Sequence, residues 1–126
     1  KNFMIVDAAM TELVRPTLYG AYHDIGLVRQ RDEKLLAWDV VGPVCESGDF
    51  LGLARKLPEL DPGALLAVFS AGAYGAVLGS SYNTRPAAPE VLVDGASHDV
   101  VRRRPSYADM LAGEKIPDWL NSQDGQ

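Results

Sequence analysis

The sequence contains a single cysteine, Cys45, among 126 residues. One thiol excludes an internal disulfide, and a thiol kept in a polar loop fits a reducing compartment, so a cytoplasmic location is expected. No apolar run approaches the roughly 20 residues that a membrane-spanning helix needs. Lys1-Asn2, four apolar residues and then Asp7 give an apolar stretch too short for a signal peptide. The formal net charge of −5 argues against phosphate-backbone binding as a main task. The one basic run, Arg102-Arg103-Arg104, follows a β-branched pair and precedes Pro105, and it reads as a solvated strand end. Two histidines, His23 and His98, lie far apart without cysteine or acidic partners at ligand spacing, so no metal site is expected. The four lysines, Lys1, Lys34, Lys56 and Lys115, occupy polar or terminal contexts unlike an imine-forming pocket. No glycine loop follows a strand and opens a helix, so a phosphate cradle is missing too. Internal repeats and low-complexity tracts are also absent.

The residues that are present describe one globular domain. The length suffices for a single unit that buries most of its apolar surface, and 47% hydrophobic with 23% charged residues is ordinary for such a unit. Residues 3–6 form an apolar, β-prone run of buried-strand length. A strand that opens so early is expected to belong with earlier strands lying elsewhere. Residues 11–14 read as a helical turn stopped at Arg15, because the residue before a proline is pushed away from the helical region. Residues 19–28 look extended, residues 30–34 form a polar turn and residues 35–41 form a strand containing Trp38, so the two extended segments are expected to pair as a hairpin.

Residues 53–57 read as one helical turn before Pro58. Asp61-Pro62-Gly63 is a turn, and residues 64–70 are a third buried strand. Residues 71–81 are small and glycine-rich, with Tyr74 prominent among them, which suits close packing against another surface or a cofactor. Residues 90–93 and 100–103 are two further strands. Ser106-Tyr107-Ala108-Asp109 has capping-box spacing and opens a short helix through Leu111. The expected class is mainly β: an antiparallel β-sandwich or barrel-like domain with short helices over residues 1–112. A tail follows over residues 113–126, loosely held or docked by Trp119.

The chemistry gathers around Cys45-Glu46-Ser47-Gly48-Asp49, which places the thiol beside a carboxylate in a polar turn after Gly42-Pro43. A packing cysteine sits among apolar neighbours; this one is set where a side chain reaches a ligand. Four other blocks accompany it: Val6-Asp7-Ala8; Arg15-Pro16-Thr17-Leu18-Tyr19-Gly20-Ala21-Tyr22-His23; Ala71-Gly72-Ala73-Tyr74-Gly75; and Tyr82-Asn83-Thr84-Arg85-Pro86. Together the five blocks resemble the C-terminal domain of the diaminopimelate decarboxylases. Those enzymes use pyridoxal phosphate and have the alanine-racemase-like fold type. The likeness runs over residues 3–111 with all blocks in family order. Its departures are Ala9, where members often carry glycine, and a longer tail.

The resemblance implies a β-sandwich preceded by an α/β barrel that carries the imine lysine and phosphate site. It also implies a homodimer with shared active sites, acting on meso-diaminopimelate to give L-lysine. Cys45 matches the proton donor: once carbon dioxide leaves, the carbon left behind must be protonated on one face, and a thiol with a reference pKa of about 8.5 carries its proton at neutral pH. Glu46 matches the residue that takes the distal ammonium of the substrate. Arg15 matches the one that takes the distal carboxylate through a planar fork, and Tyr19 adds a hydroxyl. Tyr74 matches a contact to cofactor and substrate. Tyr82, Asn83 and Arg85 are read as a structural turn, and Asp7 as a strand-end acceptor. Two other readings stand beside this one: a β-sandwich binding or dimerisation module without activity, and a related decarboxylase of the ornithine or arginine type. Ornithine enzymes share the thiol but continue differently, and Glu46-Ser47-Gly48 favours the diaminopimelate branch.

Overall fold

The computed structural model describes residues 1–121, which divide into two compact units, one over residues 1–87 and one from residue 88 onward. The first runs β1 (Asn2–Ile5), α1 (Arg15–Tyr19), β2 (Ile25–Leu27), β3 (Leu36–Val41), β4 (Phe50–Leu57), β5 (Leu66–Val68) and α2 (Gly72–Leu78), followed by a 3-10 turn at Tyr82–Thr84. The second contains β6 (Glu90–Asp94), β7 (Ser97–Arg102), α3 (Tyr107–Leu111) and α4 (Asp118–Asn121). The chain is therefore mainly β with short helices, as its patterning implies.

In the first unit β1, β3 and β4 form one sheet in that order, and β2 pairs with β5. Leu13, Ile25, Val40, Leu51 and Leu57 make the shared core, with Met4, Trp38, Leu66 and Val68 packed against it. Alternation along β1 sends Met4 inward and leaves Phe3 and Ile5 exposed, so the strand is half-buried, not buried. The β3–β4 and β2–β5 pairings are antiparallel, whereas β1 runs parallel to β3. A parallel neighbour requires a long crossover, which the stretch containing α1 and β2 supplies.

Three local expectations are corrected. The hairpin between residues 19–28 and 35–41 does not form, because β3 has both edges occupied by β1 and β4. β2 turns instead to β5, with Ile25 opposite Val68 and Leu27 opposite Leu66. Residues 53–57 are the second half of β4 and not a helical turn. Pairing from Phe50 to Leu57 satisfies the backbone and buries Leu51 and Leu57, whereas an isolated helical turn gains one hydrogen bond for several fixed dihedrals. The strand carries an extra residue: Ala54 has φ +52°, and its N–H donates to Asp39 Oδ1 at 2.9 Å. Lys1 Nζ lies 2.5 Å from the same carboxylate and, with the Ala54 N–H, lowers the Asp39 pKa.

The helix expected to stop at Arg15 begins there. Residues 9–13 make only a turn, and Pro16 sits at the start of α1, where no N–H is needed. Gly20, at φ +63°, ends the helix by donating to the Pro16 carbonyl at 3.0 Å. Residues 72–78, within the small, glycine-rich stretch, form α2. Their smallness does serve close approach, since a Cβ on Gly75 would lie 3.1 Å from the Glu12 carbonyl oxygen.

Several local signals are realised as read. The Ala64 N–H donates to the Asp61 carbonyl at 3.1 Å with Gly63 at φ +87°, a turn of type II. In the second unit β6 and β7 pair antiparallel. Ser106 and Asp109 form the capping box: the Asp109 N–H donates to Ser106 Oγ at 3.1 Å, and the Ser106 N–H donates to Asp109 Oδ2 at 2.7 Å. Arg103 adds a two-pronged bond to Asp109 at 2.6 and 2.7 Å. Arg103 foremost, and Ser106 after it, hold the Asp109 carboxyl well below the usual carboxylate range. Of the tail, α4 carries Trp119 with its ring largely exposed, and residues 122–126 lie outside the described residues.

Candidate functional site

β3 ends at Val41 and β4 starts at Phe50, so residues 42–49 must reverse the chain. The Gly42 N–H donates to the Asp49 carbonyl at 3.0 Å and closes the loop. Inside it, the Glu46 N–H donates to the Val44 carbonyl at 2.8 Å and the Asp49 N–H to the Glu46 carbonyl at 3.0 Å. Val44 and Asp49 are buried and act as roots, while Cys45, Glu46 and Ser47 form the exposed crest. The Cys45 thiol is free and open to solvent, and the Glu46 carboxylate accepts the Gly48 N–H at 3.3 Å.

The loop is fastened on two sides. Asp49, only 5% exposed, accepts the Val44 N–H on Oδ2 at 2.6 Å and the Met10 N–H on Oδ1 at 2.7 Å. Gly42 makes room for this carboxylate: a Cβ there would stand 2.6 Å from Oδ1. On the other side the Thr17 hydroxyl donates to the Gly48 carbonyl. Thr17 lies on α1 between Arg15 and Tyr19, so the helix that carries those two residues also grips the loop.

Arg15 and Tyr19 are four residues apart and share a face of α1. Tyr19 is exposed, and the Arg15 guanidinium lies 4.8 Å from the centroid of the Tyr74 ring, a cation–π contact. Tyr74 projects from α2 with 57% of its surface exposed. Arg15 and Tyr74 are thus in contact, whereas Cys45 and Glu46 reach α1 through Thr17. Among the described residues Glu46 and Arg15 form no ion pair with each other.

α2 rests on Glu12 through Gly75, and just beyond it the Ser80 N–H donates to the Thr11 carbonyl at 3.0 Å. Glu12 Oε2 accepts the Ala9 N–H at 2.7 Å and the Thr11 hydroxyl at 2.8 Å, and lies 3.6 Å from Arg85. Arg85 also donates to Thr11 Oγ1 at 3.2 Å and to the Asp7 carbonyl at 2.6 Å. Tyr82 and Asn83 form the 3-10 turn before it, with Asn83 at φ +56°. His23 is 3% exposed, with Nδ1 3.1 Å from the Phe69 carbonyl, and His98 lies exposed on β7. No group of three or more His, Cys, Asp or Glu able to hold a metal occurs among the described residues. None of their helices is long and apolar enough to cross a membrane.

The family described as pyridoxal-dependent decarboxylase, C-terminal sheet domain, matches residues 1–72. The chain belongs to this family. It is 49% identical to the diaminopimelate decarboxylase of Archaeoglobus fulgidus over 121 residues, 95% of this chain and 29% of that protein. With the enzyme of that name from Pseudomonas fluorescens it shares 54% identity over 116 residues, 92% of this chain and 28% of the other. A crystal structure of diaminopimelate decarboxylase from M. jannaschii in complex with L-lysine superposes with a TM-score of 0.87 at 34% identity, covering 94% of this chain and 27% of that one. The chain therefore spans less than a third of the length of these relatives.

Membership of a pyridoxal-dependent family poses the question of what this part offers the cofactor. An imine lysine needs a desolvated amine in a pocket. Lys1 is ion-paired with Asp39, Lys115 pairs with Asp118, and Lys34 and Lys56 are exposed, so the lysines do not fit that role. Tyr74 offers an exposed aromatic ring on α2 beside Arg15. Sequence reasoning gave no role to Asp49, Thr17 or Gly42. Asp49 and Gly42 stood in or beside the quoted motif, but nothing in the sequence marks the contact to Met10.

Proposed function

We propose that residues 1–112 act as the C-terminal sheet domain of a diaminopimelate decarboxylase, which removes carbon dioxide from meso-diaminopimelate to give L-lysine. Support comes from the relatives of that name, alike over more than nine-tenths of the chain. The observation that carries the reading is the 42–49 loop, rooted at Val44 and Asp49 and offering a thiol and a carboxylate side by side at its crest.

Pyridoxal phosphate, held by an imine lysine and a phosphate site on an N-terminal barrel domain, supplies the electron sink. Cys45 holds a proton on Sγ and passes it to the carbon that has lost carbon dioxide; the thiolate then regains a proton from water. Glu46 accepts hydrogen bonds from the distal ammonium, and Arg15 donates a pair of them to the distal carboxylate, with the Tyr19 hydroxyl beside it. Tyr74 lines the cofactor end of the substrate and steadies Arg15 by its ring face.

The working unit is a homodimer in which the loop of one subunit completes the site on its partner's barrel. Exposed Phe3, Tyr22 and Leu65, and Ile5 with 73% of its surface open, fit surfaces that a further domain or second subunit covers. An exposed lone thiol fits the cytoplasm. Residues 113–126 follow as a tail. The test is Cys45→Ala in the full-length enzyme: turnover collapses while cofactor absorbance stays intact. Normal turnover in that variant refutes the role of the thiol.

A further inference from the structure

The proposed catalytic groups sit on three separate pieces of chain: the 42–49 loop, α1 and α2. Chemistry at a shared substrate requires the three to be held in register to within a fraction of an ångström. Residues 7–12 are where they meet. α2 bears on the Glu12 carbonyl through Gly75, and the Ser80 N–H bonds the Thr11 carbonyl. Arg85 locks the same segment through Asp7, Thr11 and Glu12, and α1 follows directly in sequence. The loop bearing Cys45 and Glu46 reaches this segment through the side chain of Asp49.

The geometry of that side chain is specific. Its two oxygens divide between two backbone donors 34 residues apart, Met10 on Oδ1 and Val44 on Oδ2. Val44 immediately precedes Cys45, so the bond at 2.6 Å holds the 43–44 peptide, one residue before the thiol's own. The carboxylate is almost fully buried, and a Cβ at Gly42 would collide with it. A buried carboxylate with both oxygens bonded to N–H groups is a rigid bridge; an asparagine would turn an NH2 toward one of the two donors.

We infer that Asp49 is a positioning residue for the decarboxylation: it sets the Cys45–Glu46 crest in register with Arg15, Tyr19 and Tyr74 without touching substrate. The inference rests on the function proposed above.

The experiment is a double-mutant cycle in the full-length enzyme with Asp49→Asn, Cys45→Ala and their combination, with Gly42→Ala as a second way to displace the carboxylate. Asp49→Asn lowers kcat/KM on the order of 100-fold, as expected of a misplaced reacting group, while cofactor absorbance and the dimer are retained. In the Cys45→Ala background the same change costs clearly less than in the parent, because one of the two groups it misplaces, the thiol, is already gone. Gly42→Ala reproduces the loss and is likewise sub-additive with Asp49→Asn. Full additivity overturns the inference, as does an Asp49→Asn enzyme that is fully active or that fails to fold or dimerise, since the carboxylate would then be irrelevant or a general prop of the fold. If Cys45→Ala alone is silent, it is the proposed function that fails.

Discussion

Arg15→Lys separates the geometry of a guanidinium from its charge. Arg15 lies over the Tyr74 ring at 4.8 Å from the centroid, and Tyr74 is more than half exposed, so the stack contributes about 0.5–1 kcal/mol. A lysine keeps the positive charge but loses the planar fork, and with it one of the two charge-assisted bonds proposed to the distal carboxylate, about 1.5–3 kcal/mol. The sum, about 2–4 kcal/mol, corresponds to a loss of roughly 30-fold to 900-fold at 1.36 kcal/mol per decade. The distal carboxylate keeps its charge from ground state to transition state, so the loss falls mainly on KM and leaves kcat largely intact. Steady-state kinetics of the full-length enzyme with meso-diaminopimelate measures both. A kcat/KM within threefold of the parent refutes the assignment of Arg15, and a collapse in kcat alone shows that it acts at the reacting end.

The parts of the fold legible in the sequence are those settled within a few residues. The Asp61-Pro62-Gly63 turn and the Ser106 and Asp109 box depend on groups no more than three positions apart, and both form as their residue types require. The β6–β7 hairpin is likewise local. Strand partnership is not. Whether residues 25–27 join β3 or β5 depends on who else occupies the edges of β3, and that is settled by β1 and β4 from opposite sides in sequence. Residues 53–57 illustrate the same competition, since burying Leu51 and Leu57 against β3 outweighs a marginal helical turn.

The site divides along the same line. Cys45 and Glu46 announce themselves because a thiol and a carboxylate in a polar turn have no packing reason to be there. Asp49 is chemically as conspicuous, yet an aspartate in a turn reads as solvated. Its burial arises from Met10, 39 positions away, and from a glycine that leaves space at residue 42. Thr17 is hidden for a related reason: a helix-borne hydroxyl gains significance only when the Gly48 carbonyl arrives beside it. Candidate reacting groups are therefore readable from residue type, while the buried groups that bond the loop beneath them become visible only when distant backbone is brought alongside.

Two further outcomes test the frame around the site. Leu51 is 2% exposed in the core of the first unit, so Leu51→Ala costs about 2–5 kcal/mol; denaturant unfolding of the full-length enzyme should show the transition of this domain at clearly lower denaturant, and an unchanged midpoint refutes its place in the core. The second concerns Asp109, whose folded pKa is depressed by Arg103 and Ser106. A depressed carboxyl stabilises the fold above its unfolded pKa of about 3.9 and forfeits that contribution as pH falls through the lower folded value. The α3 cap therefore survives at pH 4 and releases only in stronger acid. Carboxyl-carbon NMR titration should place the Asp109 midpoint below that of an ordinary aspartate, and Arg103→Ala should return it upward, because the guanidinium is the largest cause of the shift. A midpoint at the ordinary value in the parent chain means that the Arg103 fork and the capping box do not hold in solution.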